Sequence, residues 1–173
     1  GNMGYVGPGV VRQLRQTFPA ATLVGLDAGF FAHCLTHSAA LPECRVDVQY
    51  FADVRHLPKD ALKDVNAVVH LAAISNDPIG NTYEQITFDV NHRASVALAR
   101  EAKASGASRF IFASSCSMYG LADDSARTET SPLNPLTAYA KSKVQTEAEL
   151  QLLADKDFEV TSLRFATACG MSE

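Results

Sequence analysis

The stretch Gly1-Asn2-Met3-Gly4-Tyr5-Val6-Gly7 decides the fold of this chain, because it runs directly into a segment with helical periodicity. Residues 6–18 place apolar side chains on one face, which predicts an amphipathic helix. Glycines at this spacing let the backbone approach a diphosphate, and the N–H groups at the helix start can then bind phosphate oxygens. Three glycines in such a position are equally typical of a flexible terminus, so the stretch alone leaves both interpretations open.

Asp27 decides between these two interpretations. It follows the short apolar run Ala21–Leu26, which predicts a strand, and it lies 20 residues after Gly7. An acidic side chain at this distance from a glycine loop hydrogen-bonds the adenosine ribose and favours NAD over NADP. Gly1, Gly4, Gly7 and Asp27 together therefore predict a dinucleotide-binding site with NAD as the cofactor.

Strand and helix signals alternate along the rest of the chain. The predicted strands are 46–52, Ala67–Ala73, Phe110–Ala113 and Val160–Phe165, and the predicted helices are 82–105, ended by Gly106, and Thr137–Ala154, with a polar loop at 121–136. The apolar stripes of these helices are Ile86, Val90, Ala94 and Leu98, and Ala140, Val144, Ala148 and Leu152. The alternation predicts one α/β domain over residues 1–173, with a doubly wound parallel sheet of Rossmann type and helices on both faces.

A strand normally comes directly before a glycine loop of this kind, and the sequence has none before Gly1. In the doubly wound order that strand would be central, between the Ala21–Leu26 strand and the Ala67–Ala73 strand. A gap there would leave two rows of backbone groups unpaired. We therefore expect the chain to be a fragment, or the ordered part, of a longer protein whose first strand it lacks.

Composition and charge exclude several classes of function. With 47% hydrophobic and 20% charged residues, the 173-residue chain has the composition of a soluble globular protein rather than a disordered one. A net charge of −4 and a pI near 5.7, without any lysine or arginine run, argue against binding nucleic acid or an anionic membrane surface. No apolar run approaches the ~20 residues that cross a membrane.

The cysteines and histidines predict neither a disulfide framework nor a metal site. The cysteines are scattered without any Cys-x-x-Cys pair, which predicts free thiols in a reducing, cytoplasmic setting. His33 and His37 lie one helical turn apart, but no carboxylate accompanies them, so we predict no metal there. The cysteines are Cys34, Cys44, Cys116 and Cys169.

Candidate chemistry lies in Tyr139-Ala-Lys-Ser-Lys143 and in Ser115 at the end of a predicted strand. A phenol titrates near pH ~10, but a lysine one helical turn later brings a positive charge that favours the phenolate. The phenolate can then take a proton from an alcohol, while the Ser115 hydroxyl holds the same oxygen. By itself Tyr-x-x-x-Lys is usually a solvated pair on a helix, so this prediction depends on the glycine loop and Asp27.

Taken in order, these segments resemble the extended short-chain dehydrogenase/reductase family. The closer resemblance is to its NAD-dependent epimerase/dehydratase branch, which acts on nucleotide-activated sugars. Essentially the whole chain is covered, and several matches in the expected order are more specific than any one motif. The matching segments are Gly1–Gly7, Asp53-Val54, His70-Leu71-Ala72-Ala73, Ser114-Ser115-Cys116-Ser117-Met118-Tyr119-Gly120, Tyr139–Lys143 and Leu163-Arg164-Phe165.

The resemblance implies an NAD-dependent enzyme whose catalytic residues are Ser115, Tyr139 and Lys143. Tyr139 would be the general base or acid, and Lys143 would hold the nicotinamide ribose and lower the tyrosine pKa. A nucleotide sugar would pass through a transient 4-keto intermediate. The small C-terminal substrate-binding lobe of the family would begin where this chain ends, so we expect these residues to lack it. A homodimer formed through the two long helices is common among relatives. The implied cofactor-binding residues are Gly1, Gly4, Tyr5, Val6, Gly7, Asp27, Asp53, Val54, Leu71, Ala72, Ala73, Asn91, Tyr139 and Lys143.

Three departures from the family pattern bear on the reaction. Cys116 and Ser117 stand where sugar 4,6-dehydratases carry Asp-Glu, which disfavours dehydration and leaves an epimerase or a 4-keto-sugar reductase. A catalytically silent NAD-binding sensor or scaffold is the alternative from another class. Cys116 is one residue away from the position of an acid/base cysteine in some relatives, so we predict a packed structural thiol. Thr167 replaces an asparagine that contacts the substrate diphosphate in many relatives.

Other polar residues have plainer interpretations. His70 lies inside a predicted buried strand and is expected to be a hydrogen-bonded core histidine near the cofactor. Asn91 is expected to order that region rather than to react. Asp123, Asp124 and Glu129 lie in the polar loop and are expected to be solvated.

Overall fold

The computed structural model describes residues 1–31, 34, 42–75, 82–121 and 126–170. Its helices are α1 (Gly7–Thr17), α2 (Glu84–Phe88), α3 (Ala94–Ala104) and α4 (Ala138–Leu153), with a π-helical segment at Asp89–Arg93 and 3₁₀ turns at Pro42–Arg45 and Cys116–Tyr119. Its strands are β1 (Val24–Asp27), β2 (Val48–Phe51), β3 (Ala67–His70), β4 (Arg109–Ser115) and β5 (Glu159–Phe165). None of the helices in the described ranges is long and apolar enough to cross a membrane.

The described residues form two compact units. Unit 1 comprises Gly1–Lys63 and Ala168–Glu173, and unit 2 comprises Asp64–Thr167. Unit 1 contains α1 and the parallel pair β1-β2, and unit 2 contains the parallel sheet β3-β4-β5 with α2, α3 and α4. Every strand pair is parallel, and α2, α3 and α4 connect the strands of unit 2, which confirms the predicted Rossmann-type α/β class.

The predicted single sheet is divided into these two sheets, which share no backbone pairing among the described residues. β1 and β3 are therefore edge strands in the described part of the chain, and each is shorter than predicted, with β3 ending at His70 rather than at Ala73.

Helices cover one face of the unit 2 sheet. That face carries Phe110 and Phe112, which are 0% and 1% exposed, and α4 packs against it. The opposite face carries Val69, Leu163 and Phe165, which are all about two-fifths exposed within the chain. The prediction that the β3 segment is buried on both faces is therefore wrong for Val69, because the helices of unit 2 lie on one side only.

The buried stripe of α4 differs from the predicted one. Ala140 is buried as expected, but Ala148 is exposed and Leu152 is 84% exposed. Instead, the helix buries the polar residues Ser142, Lys143 and Thr146, together with Leu150. The prediction from the spacing of apolar residues fails for α4, because the buried face of this helix makes hydrogen bonds through polar side chains.

The predicted helix at 82–105 is interrupted by the π-helical segment, and its predicted apolar stripe does not match the buried face. Ile86, predicted to be in the core, is 44% exposed, while Thr87 and Asn91 are fully buried. Gly106 ends α3 as predicted, with a φ of 92°. Its N–H donates to the Lys103 carbonyl, and the next N–H donates to the Ala102 carbonyl, which completes a Schellman motif.

Candidate active site

Helix α4 begins with a side-chain cap that fixes the position of Tyr139. Thr137 has an extended backbone, and its hydroxyl oxygen accepts a hydrogen bond from the Ala140 N–H at 3.1 Å. This is the N-cap geometry that threonine favours. Tyr139 therefore lies in the first turn of a well-defined helix, with its side chain half-buried.

Lys143 lies one turn further along α4 and is only 2% exposed. Its Nζ donates to the Ala113 carbonyl at 2.6 Å and lies 4.6 Å from the centroid of the Phe112 ring. The same atom is 5.5 Å from the centroid of the Tyr139 ring. The structure thus brings the predicted tyrosine and lysine together, and the lysine ties α4 to strand β4.

Burial changes the charge of Lys143 near neutral pH. Desolvation lowers the pKa of Lys143 from 10.5 to about 7, and the nearby negative charge of Glu147 opposes this shift. Near neutral pH the amine is therefore less fully protonated than an exposed lysine. A lysine tuned in this way can respond to a ligand or to a neighbouring phenol.

Ser115 is the last residue of β4, two residues beyond the carbonyl that Lys143 binds. Its hydroxyl oxygen accepts from the Ser117 N–H at 3.2 Å, so Ser115 caps the 3₁₀ turn at Cys116–Tyr119. The hydroxyl keeps its own proton available for a further acceptor. Because α4 packs on β4 and on this turn, Ser115 and the start of α4 belong to one packed region of unit 2.

Asn91 is fully buried and connects two parts of this region. Its Oδ1 accepts from the Ile74 N–H at 2.7 Å, and its Nδ2 donates to the Ile74 carbonyl at 2.9 Å and to the Ser142 hydroxyl at 3.3 Å. Ile74 directly follows Leu71, Ala72 and Ala73, the half-buried residues predicted to lie beside the cofactor. Asn91 thus joins that segment to α4 between Tyr139 and Lys143.

The Asn91 carbonyl extends this network from the π-helical segment. It accepts from the Ser95 hydroxyl at 2.8 Å and from the Thr146 hydroxyl at 3.0 Å. Because the single Ser95 proton is used in this way, we assign the proton of His70 to Nε2, which lies 2.7 Å from the Ser95 hydroxyl oxygen. Irregular π-helical segments frequently occur at functional sites, where they provide carbonyl groups that a regular helix uses internally.

His70 is the buried, hydrogen-bonded histidine that the sequence predicted. It is 4% exposed, and burial lowers its pKa to about 3, with a further lowering from the charge of Lys143. It is therefore neutral at ordinary pH. Sequence reasoning missed Ser95, the partner of His70, and Ser142 and Thr146, the partners of Asn91. The pairs Asn91/Ser95 and Ser142/Thr146 each show polar residues at four-residue spacing within predicted helices.

The glycine loop of unit 1 is tightly packed on its own helix. A Cβ at Gly7 would lie 2.5 Å from both the carbonyl carbon and the carbonyl oxygen of Asn2, so only glycine fits. A Cβ at Gly4 would meet nothing closer than 3.8 Å. Helix α1 has no side-chain cap and no acidic residue in its first turn in the described structure. Val6 is the cap residue, so the first N–H groups of α1 face the loop without a side-chain acceptor.

Asp27 ends β1, as predicted, and anchors the loop. Its carboxylate accepts from the Met3 N–H at 2.9 Å and from the Gly29 N–H at 2.8 Å, and its side chain is 15% exposed. Gly1 donates to the carbonyl of Leu26 on the same strand. The loop is thus fixed to β1 through backbone groups and one carboxylate.

The remaining predicted residues of unit 1 have the following surroundings. Asp53 pairs with Arg55 at 2.7 Å, and this hydrogen bond lowers the pKa of the Asp53 carboxyl. Val54 beside it is buried. Tyr5 is half exposed, and its hydroxyl donates to the Gly170 carbonyl at 2.5 Å.

Cys116 is exposed, so the prediction of a packed thiol is wrong. That prediction assumed an extended chain after Ser115, in which neighbouring side chains point to opposite sides. The residues instead form a 3₁₀ turn, to which strand alternation does not apply. Cys116 lines a cleft of about 430 Å³ together with Tyr119, Glu129 and Arg164, among others.

Some predictions fall outside the described residues, namely those for His33, His37, Asp123 and Asp124. Within the described ranges no group of three or more His, Cys, Asp or Glu side chains is placed to hold a metal ion. Glu129 is exposed, as expected for a solvated loop residue. Thr167 is exposed just beyond β5.

Parallel strands, a glycine loop leading into a helix, and a tyrosine and lysine one turn apart define a Rossmann-type dinucleotide-binding protein of the short-chain dehydrogenase/reductase class. The family model for the NAD dependent epimerase/dehydratase family matches residues 1–173, and the chain belongs to this family. NAD is the cofactor of this family, as the glycine loop and Asp27 predicted.

Individual relatives agree with this assignment. A UDP-glucose 4-epimerase from Lactobacillus helveticus is 28% identical over 178 residues, covering 99% of this chain and 51% of that protein. Sterol demethylase protein B from Methylococcus capsulatus is 29% identical, covering 98% of this chain and 50% of that protein. A structure of UDP-glucose-4-epimerase from Stenotrophomonas maltophila, with bound NAD and formylated UDP-arabinopyranose, is 25% identical with a TM-score of 0.80 and covers 95% of this chain and 50% of that chain. The chain spans about half the length of the relatives it matches.

Proposed function

We propose that this chain is the cofactor-binding and proton-transfer part of an NAD-dependent enzyme that acts on a nucleotide-activated sugar through a transient 4-keto intermediate. The observation that carries the proposal is the buried Lys143, fixed to the Ala113 carbonyl with its Nζ 5.5 Å from the ring of Tyr139. A solvated Tyr-x-x-x-Lys pair would have no reason to bury an amine at this cost.

The residues of each unit fit NAD. In unit 1 the uncapped start of α1, the open space at Gly4 and the Asp27 carboxylate suit a diphosphate and a ribose. By the family resemblance, Asp53 and Val54 would hold the adenine. In unit 2, Lys143 is the residue that would hold the nicotinamide ribose. When bound, NAD accepts a hydride from a carbon that bears a hydroxyl group and can return it.

The proton chemistry belongs to the side chains of unit 2. Tyr139 takes the hydroxyl proton of the substrate as that carbon is oxidised, and Ser115 donates a hydrogen bond to the same oxygen. A protonated Lys143 lowers the energy of the phenolate by its charge. Asn91 binds Ser142, and Thr146 binds the Asn91 carbonyl of the π-helical segment, so α4 is held in place. The arrangement of Tyr139 and Lys143 therefore exists before the substrate reacts.

An epimerase or a 4-keto-sugar reductase needs no further acid or base beyond this set. Cys116 and Ser117 occupy the positions at which 4,6-dehydratases carry two carboxylates, so water elimination lacks its catalytic pair. The cleft at Cys116 is a candidate for part of the sugar site, since it opens at the end of β4 beside Ser115. We favour epimerisation because two of the relatives named above are UDP-glucose 4-epimerases.

The principal test is Tyr139→Phe in the complete protein. We expect turnover of the sugar nucleotide to fall at least about 10³-fold, since the general base is lost, while NAD affinity changes less than about threefold. Tyr83→Phe is a matched control, because it removes a phenolic hydroxyl from an exposed position outside the site. Retention of turnover by Tyr139→Phe would remove the basis of the proposal.

The alternatives are separated by the choice of substrate. The complete protein and NAD would be incubated with a panel of UDP- and dTDP-linked hexoses, with a sterol added because of the similarity to sterol demethylase protein B. An epimerase interconverts the C4 epimers and a reductase consumes 4-keto sugars. A sensor or scaffold binds NAD but exchanges no substrate hydrogen.

A further inference from the structure

Arg164 forms a cluster with Glu147 and Tyr119 at the carboxyl end of β5. Its guanidinium binds the Glu147 carboxylate through Nε at 3.2 Å and through the second terminal nitrogen at 2.7 Å. The other terminal nitrogen donates to the Tyr119 hydroxyl at 2.8 Å and to the Glu129 carbonyl at 3.0 Å. The Tyr119 hydroxyl in turn donates to the Thr128 carbonyl at 2.9 Å. The cluster therefore joins β5, α4 and the 3₁₀ turn to the segment 126–136.

Segment 126–136 is attached to the same 3₁₀ turn at a second point. The Asn134 N–H donates to the Met118 carbonyl at 2.9 Å. Gly120 has a φ of 79°, and a Cβ there would lie 2.4 Å from the Asn134 carbonyl oxygen. The close approach of the two backbones requires glycine at this position.

The two attachments lie between the proposed catalytic residues along the chain. Ser115 caps the start of the 3₁₀ turn through the Ser117 N–H. Asn134 is followed within three residues by Thr137, the cap of α4, and then by Tyr139. The contacts that hold segment 126–136 on the 3₁₀ turn therefore also limit the distance between Ser115 and Tyr139.

The Arg164–Glu147 pair is unlike the ion pair at the other end of the same sheet. Its side chains are 20% and 13% exposed, and its two parallel hydrogen bonds use the planar fork of arginine. Arg109 and Glu159, at the amino ends of β4 and β5, are 3.5 Å apart with side chains 68% and 66% exposed. Solvent screens that second pair, whereas the first is partly shielded and geometrically fixed. The bond with Glu147 raises the pKa of Arg164 above its usual range, so the arginine serves as a permanent cation.

We propose that Arg164, Glu147 and Tyr119 are positioning residues: they clamp segment 126–136 on the 3₁₀ turn and thereby set the spacing of Ser115 and Tyr139 for proton transfer. This inference rests on the proposed function for its catalytic consequence. Its structural consequence, the clamp, is independent of any substrate. None of the three residues has to touch the reacting atoms.

The clamp is tested by hydrogen–deuterium exchange on the complete protein with NAD, comparing Arg164→Met, Arg164→Lys and Tyr119→Phe with the control Arg109→Met. We expect Arg164→Met to speed amide exchange about tenfold in 126–136 and in the first turn of α4, because several hydrogen bonds are lost together. Arg164→Lys is expected to give an intermediate rate, since lysine keeps the charge but not the fork. Arg109→Met is expected to exchange like the unmodified protein. Should Arg164→Met fail to fold, Tyr119→Phe gives the answer, as it leaves the Arg164–Glu147 pair intact and is expected to speed exchange in 126–136.

The positioning role is tested by kinetics on the sugar nucleotide that the substrate panel identifies. A displacement of about 1 Å can cost roughly 100-fold, so we expect kcat to fall by that order in Arg164→Met while NAD affinity changes less than about threefold. Partial recovery of kcat in Arg164→Lys would support positioning. Faster exchange with an unchanged kcat, or exchange equal to that of Arg109→Met, would overturn the inference. If no sugar nucleotide is turned over, the proposed function fails, and the exchange data still decide whether the clamp exists.

Discussion

Helices α1 and α4 both begin at candidate site residues, yet they begin and pack in opposite ways. Helix α1 starts after a glycine loop without a side-chain cap, and its close contacts are between backbone atoms of Gly7 and Asn2. Helix α4 starts with the Thr137 cap, and it buries the polar side chains of Ser142 and Lys143. A helix start that is left for an external anion needs bare backbone, whereas one that carries reacting groups needs a rigid, satisfied scaffold.

The largest effect is expected at Lys143 on α4. We expect Lys143→Met to reduce turnover about 10³-fold, because the charge beside Tyr139 is lost. The same change should stabilise the unliganded protein by about 1–2 kcal/mol at pH 7, since a desolvated amine is removed while the Ala113 carbonyl loses its donor. An inactive but more stable variant would show that the polar face of α4 serves function at the expense of stability.

The pH dependence of the free energy of unfolding tests whether burial of the Lys143 amine destabilises the folded protein. The folded-state pKa of Lys143 is about 7 and the unfolded value is 10.5, so between these pH values the unfolded chain binds more protons and stability rises with pH. Urea unfolding should show this rise in the unmodified protein and a flatter profile in Lys143→Met. Lys141→Met, on the exposed side of the same helix, should keep the original slope. Equal slopes in all three proteins would contradict the burial argument.

The second-largest effect is expected at Gly7, at the start of α1, and concerns the affinity for NAD. A methyl group at Gly7 has to displace the Asn2 backbone, so we expect Gly7→Ala to weaken NAD binding roughly 10- to 100-fold, or about 1.4–2.8 kcal/mol. Gly9→Ala is the matched control, because a Cβ there meets nothing within 4 Å. The control should stabilise the helix by up to about 1 kcal/mol and leave NAD affinity unchanged. Titration calorimetry with NAD distinguishes the two, and equal affinities would mean that the tight loop is not needed for the cofactor.

The smallest effect is expected at the cap of α4. Thr137→Ala removes the acceptor for the Ala140 N–H and should lower the free energy of unfolding by about 1 kcal/mol. Thr137→Ser keeps a hydroxyl and should lose much less. If both variants unfold at the same urea concentration as the unmodified protein, the cap does not fix the start of α4 and the contrast with α1 is weakened.

The features that follow from local backbone chemistry could be predicted from the sequence, whereas the buried polar contacts could not. The alternation of strands and helices, the glycine loop, the position of Asp27 and the Schellman end at Gly106 follow from local chemistry, so they could be predicted. The stripe of Ser142, Lys143 and Thr146 could not be predicted from hydropathy, because these residues resemble solvated ones until Asn91 is placed beside them.

Two other predictions failed for geometric reasons. The exposure of Cys116 followed from a 3₁₀ turn, which strand alternation cannot anticipate. The predicted stripe of the 82–105 helix used a four-residue spacing, which drifts around a helix of 3.6 residues per turn, so Ile86 and Leu98 lie about 120° apart. Thr87 lies on nearly the same side of the helix as Leu98 and is buried with it.

The π-helical segment Asp89–Arg93 also makes the length of this helix a constraint in its own right. A π-helical turn holds one residue more than an α-helical turn, so removing one residue from it would restore an ordinary α-helix. The Asn91 carbonyl, which accepts from the Ser95 and Thr146 hydroxyls, would then be used by the backbone hydrogen bonds of the helix itself. An alignment gap of a single residue in this helix therefore marks chains in which this carbonyl does not link the helix to α4, even when every motif residue is present.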